Sequence, residues 1–256
     1  MYHARVKTEA TVLKVIDWSA TSQVLTLLTR DFGKVSALAK GARRMTAGFN
    51  AYDGPFEPGS TGEFVLILRD TTLSTVTERW LRFSLSRAAD DPCHLYCACF
   101  LLEMANALTV PNDPHREAYD LLASSLRRIE RSRMPVLLSA AFAFKLFRML
   151  GFLSDVAMCV ECGRRLARRA RHRWSSAHAG VLCPDCDGSA ASMPVSGAAV
   201  GTISRITARP PAALSGLRAS LPVLRELIGL AGTITAALTD RPMRTTRFLL
   251  EGCLSP

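Results

Sequence analysis

The sequence predicts an α+β protein: a small N-terminal barrel of short strands, then a helical domain interrupted by a four-cysteine metal-binding insert. Three observations carry this. Short apolar runs with partial period-2 alternation fill the first 80 residues. From about Leu81 the apolar period lengthens to that of a helix. Two Cys-x-x-Cys pairs stand at 159–162 and 183–186. The expected domains are 1–80 and 81–256, with the insert at about 156–190. With 256 residues and 48% hydrophobic content, the chain can bury a substantial core, which excludes wholesale disorder.

The barrel comes from five predicted strands: Arg5–Ile16, Gln23–Thr29, Lys34–Ala39, Phe64–Leu68 and Leu73–Thr77. Asp31-Phe32-Gly33 is a hairpin-type turn between the second and third, and Arg69-Asp70 turns the fourth into the fifth. A Gly/Pro-bearing loop, Gly41–Gly62, separates the two pairs. Five short strands in about 80 residues suit a closed or partly closed barrel, and an OB-fold has that strand count.

The helical domain is read from His94–Leu108, Asp113–Arg128, Pro135–Leu150 and Val223–Thr239. Asp113 reads as an N-cap before Pro114, and Gly151 as a C-terminal stop. Gly188–Ser204, rich in small residues, reads as a linker. The longest uncharged apolar run, Leu227–Thr239, is short for a membrane span, so no membrane span is expected. His3, Arg5, Lys7 and Glu9 interrupt the N-terminus, so no secretory leader is expected. The expected location is the cytoplasm, where thiols stay reduced and cysteines act as metal ligands or core side chains.

The four-cysteine cluster is the sharpest local signal. Cys159 and Cys162 are followed after twenty residues by Cys183 and Cys186, a zinc spacing. Two residues between thiolates let one tight knuckle aim both sulfurs at one ion, with Gly163 easing the turn. Four sulfurs close a tetrahedron and leave no position for a catalytic water, so a Zn²⁺ here is structural. A metal-free or redox thiol set is the competing reading, and His172 or His178 could replace one sulfur. Cys93, Cys97 and Cys99 lie on one predicted helix and read as core.

The formal charge of +10 and pI near 9.6 call for an anionic partner, nucleic acid first and an acidic membrane surface second. The charge is concentrated: residues 127–178 hold 12 basic and 3 acidic side chains. Between the cysteine pairs stand Arg164, Arg165, Arg168, Arg169, Arg171 and Arg173, followed by Trp174. Such a face suits phosphate contact and base stacking. The barrel adds Lys7, Lys14, Arg30, Lys34, Lys40, Arg43 and Arg44, and the two sets are expected to furnish a basic track for a DNA backbone. No P-loop, G-x-S-x-G, H-E-x-x-H or dinucleotide fingerprint is present. The carboxylates Asp53, Glu57, Glu63, Asp70 and Glu78 are scattered, so no catalytic residue is assigned.

The order of parts, and three stretches, resemble the bacterial recombination mediator family RecO. These are Glu9–Arg44 with "TRDFGKVSALAKGARR", Leu146–Gly163 with a Gly-aromatic pair before the first knuckle, and Asp240–Leu249, "DRPMRTTRFL". The resemblance implies a non-enzymatic, nucleoid-associated protein of DNA repair. It implies binding of single- and double-stranded DNA, annealing of complementary strands, and, with RecR, loading of RecA onto DNA coated by the single-strand-binding protein SSB. It also implies an SSB-tail site. The candidates are Arg127, Arg128 and Arg131, and the helix bearing Lys145 and Arg148, whose Phe142, Phe144 and Phe147 read as core. The competing class is a zinc-ribbon transcription or translation factor that binds DNA or RNA, and a nuclease is a third.

Overall fold

The computed structural model describes residues 4–44, 54–69, 72–85, 91–167, 170–186, 192–210, 213 and 216–254. The chain divides into two compact units, Met1–Arg131 and Ser132–Pro256.

The first unit is built on five strands: β1 (Ala4–Asp17), β2 (Gln23–Thr29), β3 (Gly33–Ala39), β4 (Thr61–Leu68) and β5 (Ser74–Phe83). They close in the order β1-β2-β3-β5-β4, and β4 returns to β1. All pairings are antiparallel except β3 with β5. This is the OB-fold that the strand count suggests. Ala10, Val12, Leu25, Leu27, Ala37, Ala39, Phe64, Leu66 and Val76 point inward and form one core. β1 serves two partners, pairing with β4 along its first half and with β2 along its second. A bulge between Val12 and Lys14 inserts Leu13. Before it, odd-numbered Arg5, Lys7 and Glu9 face out; after it, even-numbered Lys14 and Ile16 do. The bulge is why the sequence alternates only in part.

Two helices, α1 (Pro92–Leu108) and α2 (Arg116–Ile129), pack on β1 within this unit. The change of period near residue 80 marks the passage from strands to helices. Compactness draws its line later because of this packing. Asp91 caps α1: its carboxylate accepts the Cys93 N–H at 2.9 Å, and Pro92 occupies the first turn. That N–H lowers the Asp91 carboxyl below its usual range.

α2 starts later than the Asp113-Pro114 signal predicts. Its N-cap is His115, and Asp113 pairs instead with the His115 ring at 3.2 Å. The backbone explains the delay. The Asn112 N–H donates to the Lys34 carbonyl at 3.0 Å, and Pro111 bridges to Lys34. Residues 111–113 are therefore held as a strap against the start of β3. The approach is so close that a Cβ on Gly33 would meet Asp113 backbone atoms at 2.3–2.6 Å.

Among the described residues, the second unit comprises α3 (Pro135–Met149), a sheet in the order β7-β6-β8, and three further α-helices. α3 ends in a Schellman motif: Gly151 takes φ +81, Phe152 N–H donates to Phe147 O at 2.8 Å, and Gly151 N–H to Arg148 O at 3.2 Å. The strands are β6 (Arg171–Ser175), β7 (Gly180–Leu182) and β8 (Met193–Ser196). The expected linker over Gly188–Ser204 is corrected here. β8 occupies its middle, and Ser196 caps α4 (Gly197–Thr207) by accepting the Ala199 N–H at 3.1 Å. Small residues read as a linker, but Ala199, Val200, Ile203 and Ile206 bury one face.

α5 (Leu221–Thr239) has 19 residues and is long and apolar enough to cross a membrane, so the expectation that it is too short does not hold for the whole helix. It packs against α3, α4 and α6 (Arg244–Gly252), burying Leu224, Leu227, Ile228, Leu230, Ala231 and Ile234. Its charges are used internally: Glu226 accepts from the Ser196 N–H and hydroxyl, and Arg225 donates to the Leu254 carbonyl. Gly232 lets α6 approach, since a Cβ there would lie 2.7 Å from Thr246 Oγ1.

Candidate metal centre and nucleic-acid interface

Two knuckles bring the cysteines together. In the first, Gly163 takes φ +69 and donates its N–H to the Cys159 carbonyl at 3.0 Å, folding Cys162 back toward Cys159. In the second, Pro184–Cys186 forms a 3-10 turn, with Cys186 N–H on the Cys183 carbonyl at 3.1 Å. The two are tied by Val160 N–H to Val181 O at 3.0 Å, and by Cys183 N–H to Cys159 Sγ at 3.3 Å.

All four sulfurs lie within 4.8 Å of one another, and Cys162 Sγ is 3.7 Å from Cys183 Sγ. A tetrahedron with metal–sulfur bonds of about 2.3 Å has edges of about 3.8 Å. The cluster thus fits a metal ion held by four thiolates. Burial opposes ionisation of Cys159, but N–H donors from Cys162, Cys183 and Glu161 outweigh it and bring its thiol down to about 6. Cys186 is pushed up by its Cys162 and Cys183 neighbours. Four sulfurs this close do not all ionise without a cation between them. The histidines are engaged elsewhere: His172 Nε2 is 2.8 Å from the Ala167 carbonyl, and His178 Nδ1 is 3.0 Å from the Ser175 hydroxyl.

The insert arginines separate into kinds. Arg165 and Arg171 are exposed. Arg164 is exposed and pairs with Asp185 beside the second knuckle. Arg173 is half-buried and donates to the Ser192 hydroxyl at 2.6 Å and to its carbonyl, bracing β6. Arg168 and Arg169 lie outside the described residues. Trp174 is fully buried beneath β6, so its ring is core and not a stacking surface.

On the barrel, Lys14, Lys40, Arg43 and Arg44 are exposed. Arg43 reaches Asp17 at 3.2 Å, and its N–H donates to the Thr21 carbonyl, joining the exit of β3 to the β1–β2 turn. Lys7 pairs with Glu63 at 2.6 Å and sits 5.0 Å from the centre of the Trp80 ring. Arg30 forks onto Asp120 of α2 at 2.9 and 3.1 Å. Lys34 donates to the Asn106 carbonyl of α1 at 2.6 Å, and burial lowers its ammonium pKa. Arg30 and Lys34 therefore fasten helices to the barrel.

Of the tail-site candidates, Arg127 and Arg131 are exposed and Arg128 half-buried in the first unit. In the second unit Arg148 is exposed, while Lys145 donates to the Arg209 carbonyl. Phe142, Phe144 and Phe147 are core, as the helical spacing suggests. Sequence reasoning passed over Trp18, which is 70% exposed at the end of β1. An indole beside a polar Ser-Ala-Thr-Ser turn was the available signal.

Two family models match in tandem: "Recombination protein O N terminal" over residues 1–83 and "Recombination protein O C terminal" over residues 89–247. Among curated relatives, "DNA repair protein RecO" of Rhodopirellula baltica is 35% identical over 179 residues, covering 69% of this chain and 65% of that one. The protein of the same name from Anaeromyxobacter sp. (strain Fw109-5) is 32% identical over 263 residues, 96% of each chain. That of Desulfitobacterium hafniense (strain DSM 10664 / DCB-2) is 27% identical over 249 residues, 96% of this chain and 88% of that one. With both family models matched in tandem over most of its length and relatives of that name aligned along nearly the whole chain, this chain belongs to the RecO family of DNA repair proteins.

Proposed function

We propose that this protein is a recombination mediator. It binds single- and double-stranded DNA, anneals complementary strands and, with RecR, helps to load RecA onto SSB-coated DNA in the cytoplasm. The tandem match to both RecO family models is the observation that carries this reading. The exposed cations of the two units, Lys14, Lys40 and Arg44 in one and Arg165 and Arg171 in the other, support it as phosphate grips.

The ion is Zn²⁺, held by Cys159, Cys162, Cys183 and Cys186. An all-thiolate tetrahedral set favours zinc, and four protein ligands leave it a structural role. When bound, it supplies a rigid junction between the knuckles. Arg165 stands just outside the first knuckle and Arg171 begins β6, so the exposed guanidinium groups are carried on a braced scaffold. Annealing itself needs no hydrolysis: cations that neutralise two backbones remove the repulsion between them while the base edges pair.

Fluorescence-monitored annealing of complementary oligonucleotides coated with SSB tests the reading. Acceleration without ATP is the expected result, with the DNA intact in the presence of Mg²⁺. Inert behaviour, together with preference for one sequence or for RNA, would return the protein to the zinc-ribbon transcription-factor class. For the SSB tail, whose acidic residues suit an arginine rim, Arg148→Ala should weaken binding of the tail peptide; unchanged affinity removes this helix from the site.

A further inference from the structure

The outer wall of β1–β2–β3 combines features that none of the contacts above uses. Ile16 pairs with Val24 and Val24 with Leu38, so three apolar side chains form one row across three strands. They face away from the core residues Leu25, Ala37 and Ala39. Ile16 is 47% exposed, and Val24 and Leu38 are half-buried. Two residues beyond Ile16 stands Trp18, the most exposed large hydrophobic among the described residues. Its N–H donates to the Ser22 carbonyl at 3.0 Å, which fixes its backbone in the turn. Lys14 lies two residues before Ile16, and Lys40 two residues after Leu38. Both are exposed, and neither has an ion pair among the described residues.

The wall on β1, β4 and β5 provides the contrast. It also exposes an indole, Trp80, but its cations are matched: Arg5 with Glu78, Lys7 with Glu63, and Arg82 with Glu9 and Glu63. A polyanion approaching there meets as many carboxylates as cations. On the β1–β2–β3 wall it meets unmatched ammonium groups on either side of an apolar row. Flat apolar faces strung on an anionic backbone are the chemistry of a single nucleic-acid strand. A duplex hides those faces in its stack.

We propose that Trp18 and the Ile16–Val24–Leu38 row form a base-stacking platform for single-stranded DNA, with Lys14 and Lys40 holding its phosphates. The assignment rests on the DNA-binding reading and names where on the barrel it happens. Stacking engages the face of a base and leaves its pairing edge open, so a strand held here can still meet its complement.

The test uses the full chain with an oligothymidylate and a duplex of equal length. Trp18→Ala should weaken single-strand binding about ten- to hundredfold and leave duplex affinity unchanged. The slope of log affinity against log salt should stay the same for Trp18→Ala and fall by about 0.7 for each of Lys14→Ala and Lys40→Ala. Trp18→Phe keeps a ring and should retain most of the affinity. Because Trp174 is buried, Trp18→Phe should also abolish most of the DNA-induced fluorescence quench, whereas Trp80→Phe should not. Wild-type single-strand affinity in Trp18→Ala, or equal losses for single strand and duplex, would overturn the platform while leaving DNA binding intact. Failure of the wild-type chain to bind any DNA would overturn the parent reading as well.

Discussion

Replacing Gly33 by alanine should destabilise the first unit by about 3 kcal/mol, from two separable sources. Gly33 sits at φ +68, where a Cβ costs roughly 1–2 kcal/mol. The added carbon would also lie 2.3 Å from Asp113 O, 2.5 Å from its carbonyl carbon and 2.6 Å from its nitrogen. These are backbone atoms, tied down by the Asn112–Lys34 hydrogen bond, and no rotamer change can move them. Overlap of this kind costs roughly a further 1–3 kcal/mol. Gly41→Ala is the matched control in the same unit: φ is +73, but the nearest atom is the flexible Arg44 Cδ at 3.4 Å. It should show the conformational cost alone. Urea unfolding followed by circular dichroism reads the difference. With slopes of about 1–3 kcal/mol/M, an extra 2 kcal/mol separates the two midpoints by about 1 M. Coincident midpoints would refute the claim that the strap presses on the β2–β3 turn.

Three further outcomes follow from the geometry. Metal analysis of the purified chain should give about one zinc per chain, and Cys183→Ser or chelation should open the insert to protease, because structural zinc sites contribute folding free energy outright; undiminished protection after metal removal would count against the centre. Lys34→Ala should lower the stability of the first unit by about 1–2 kcal/mol through loss of its charged hydrogen bond to α1, with less effect on the salt slope of DNA binding than Lys40→Ala. Burial, reinforced by the charge of Glu9, raises the Tyr119 phenol to about 12. Between pH 10 and about 12 the unfolded chain ionises while the folded chain holds its proton, so stability should fall as pH rises through that window. Tyr119→Phe should flatten that fall, which ultraviolet titration alongside thermal melts would show.

The barrel strands were legible because their apolar residues alternate, and the metal centre because ligand spacing is local. Both are properties of a few consecutive residues. What depended on distant contacts was not legible. The closing pairing of β3 with β5 leaves no mark on either segment. The start of α2 was misread because Asp113 and Pro114 have the right local chemistry, while a contact with β3, nearly eighty residues earlier, holds that backbone out of the helix. α4 looked like a linker because its small side chains bury a face only when α3 and α5 are present. Among the basic residues, sequence alone does not distinguish Lys40, exposed and without an ion pair among the described residues, from Lys34, anchored to a helix. Trp18 gained meaning only when strand register set Ile16, Val24 and Leu38 in its neighbourhood.

The extra residue at Leu13 makes the two halves of β1 independent modules. Upstream, the strand is phased by β4; downstream, by β2. Were Leu13 paired in strict alternation instead of bulged, Lys14 and Ile16 would turn toward the core and Val15 outward. The barrel would then have to choose between a charged interior and broken pairing with β2. The bulge is therefore what lets one continuous strand keep an apolar inner face against both neighbours.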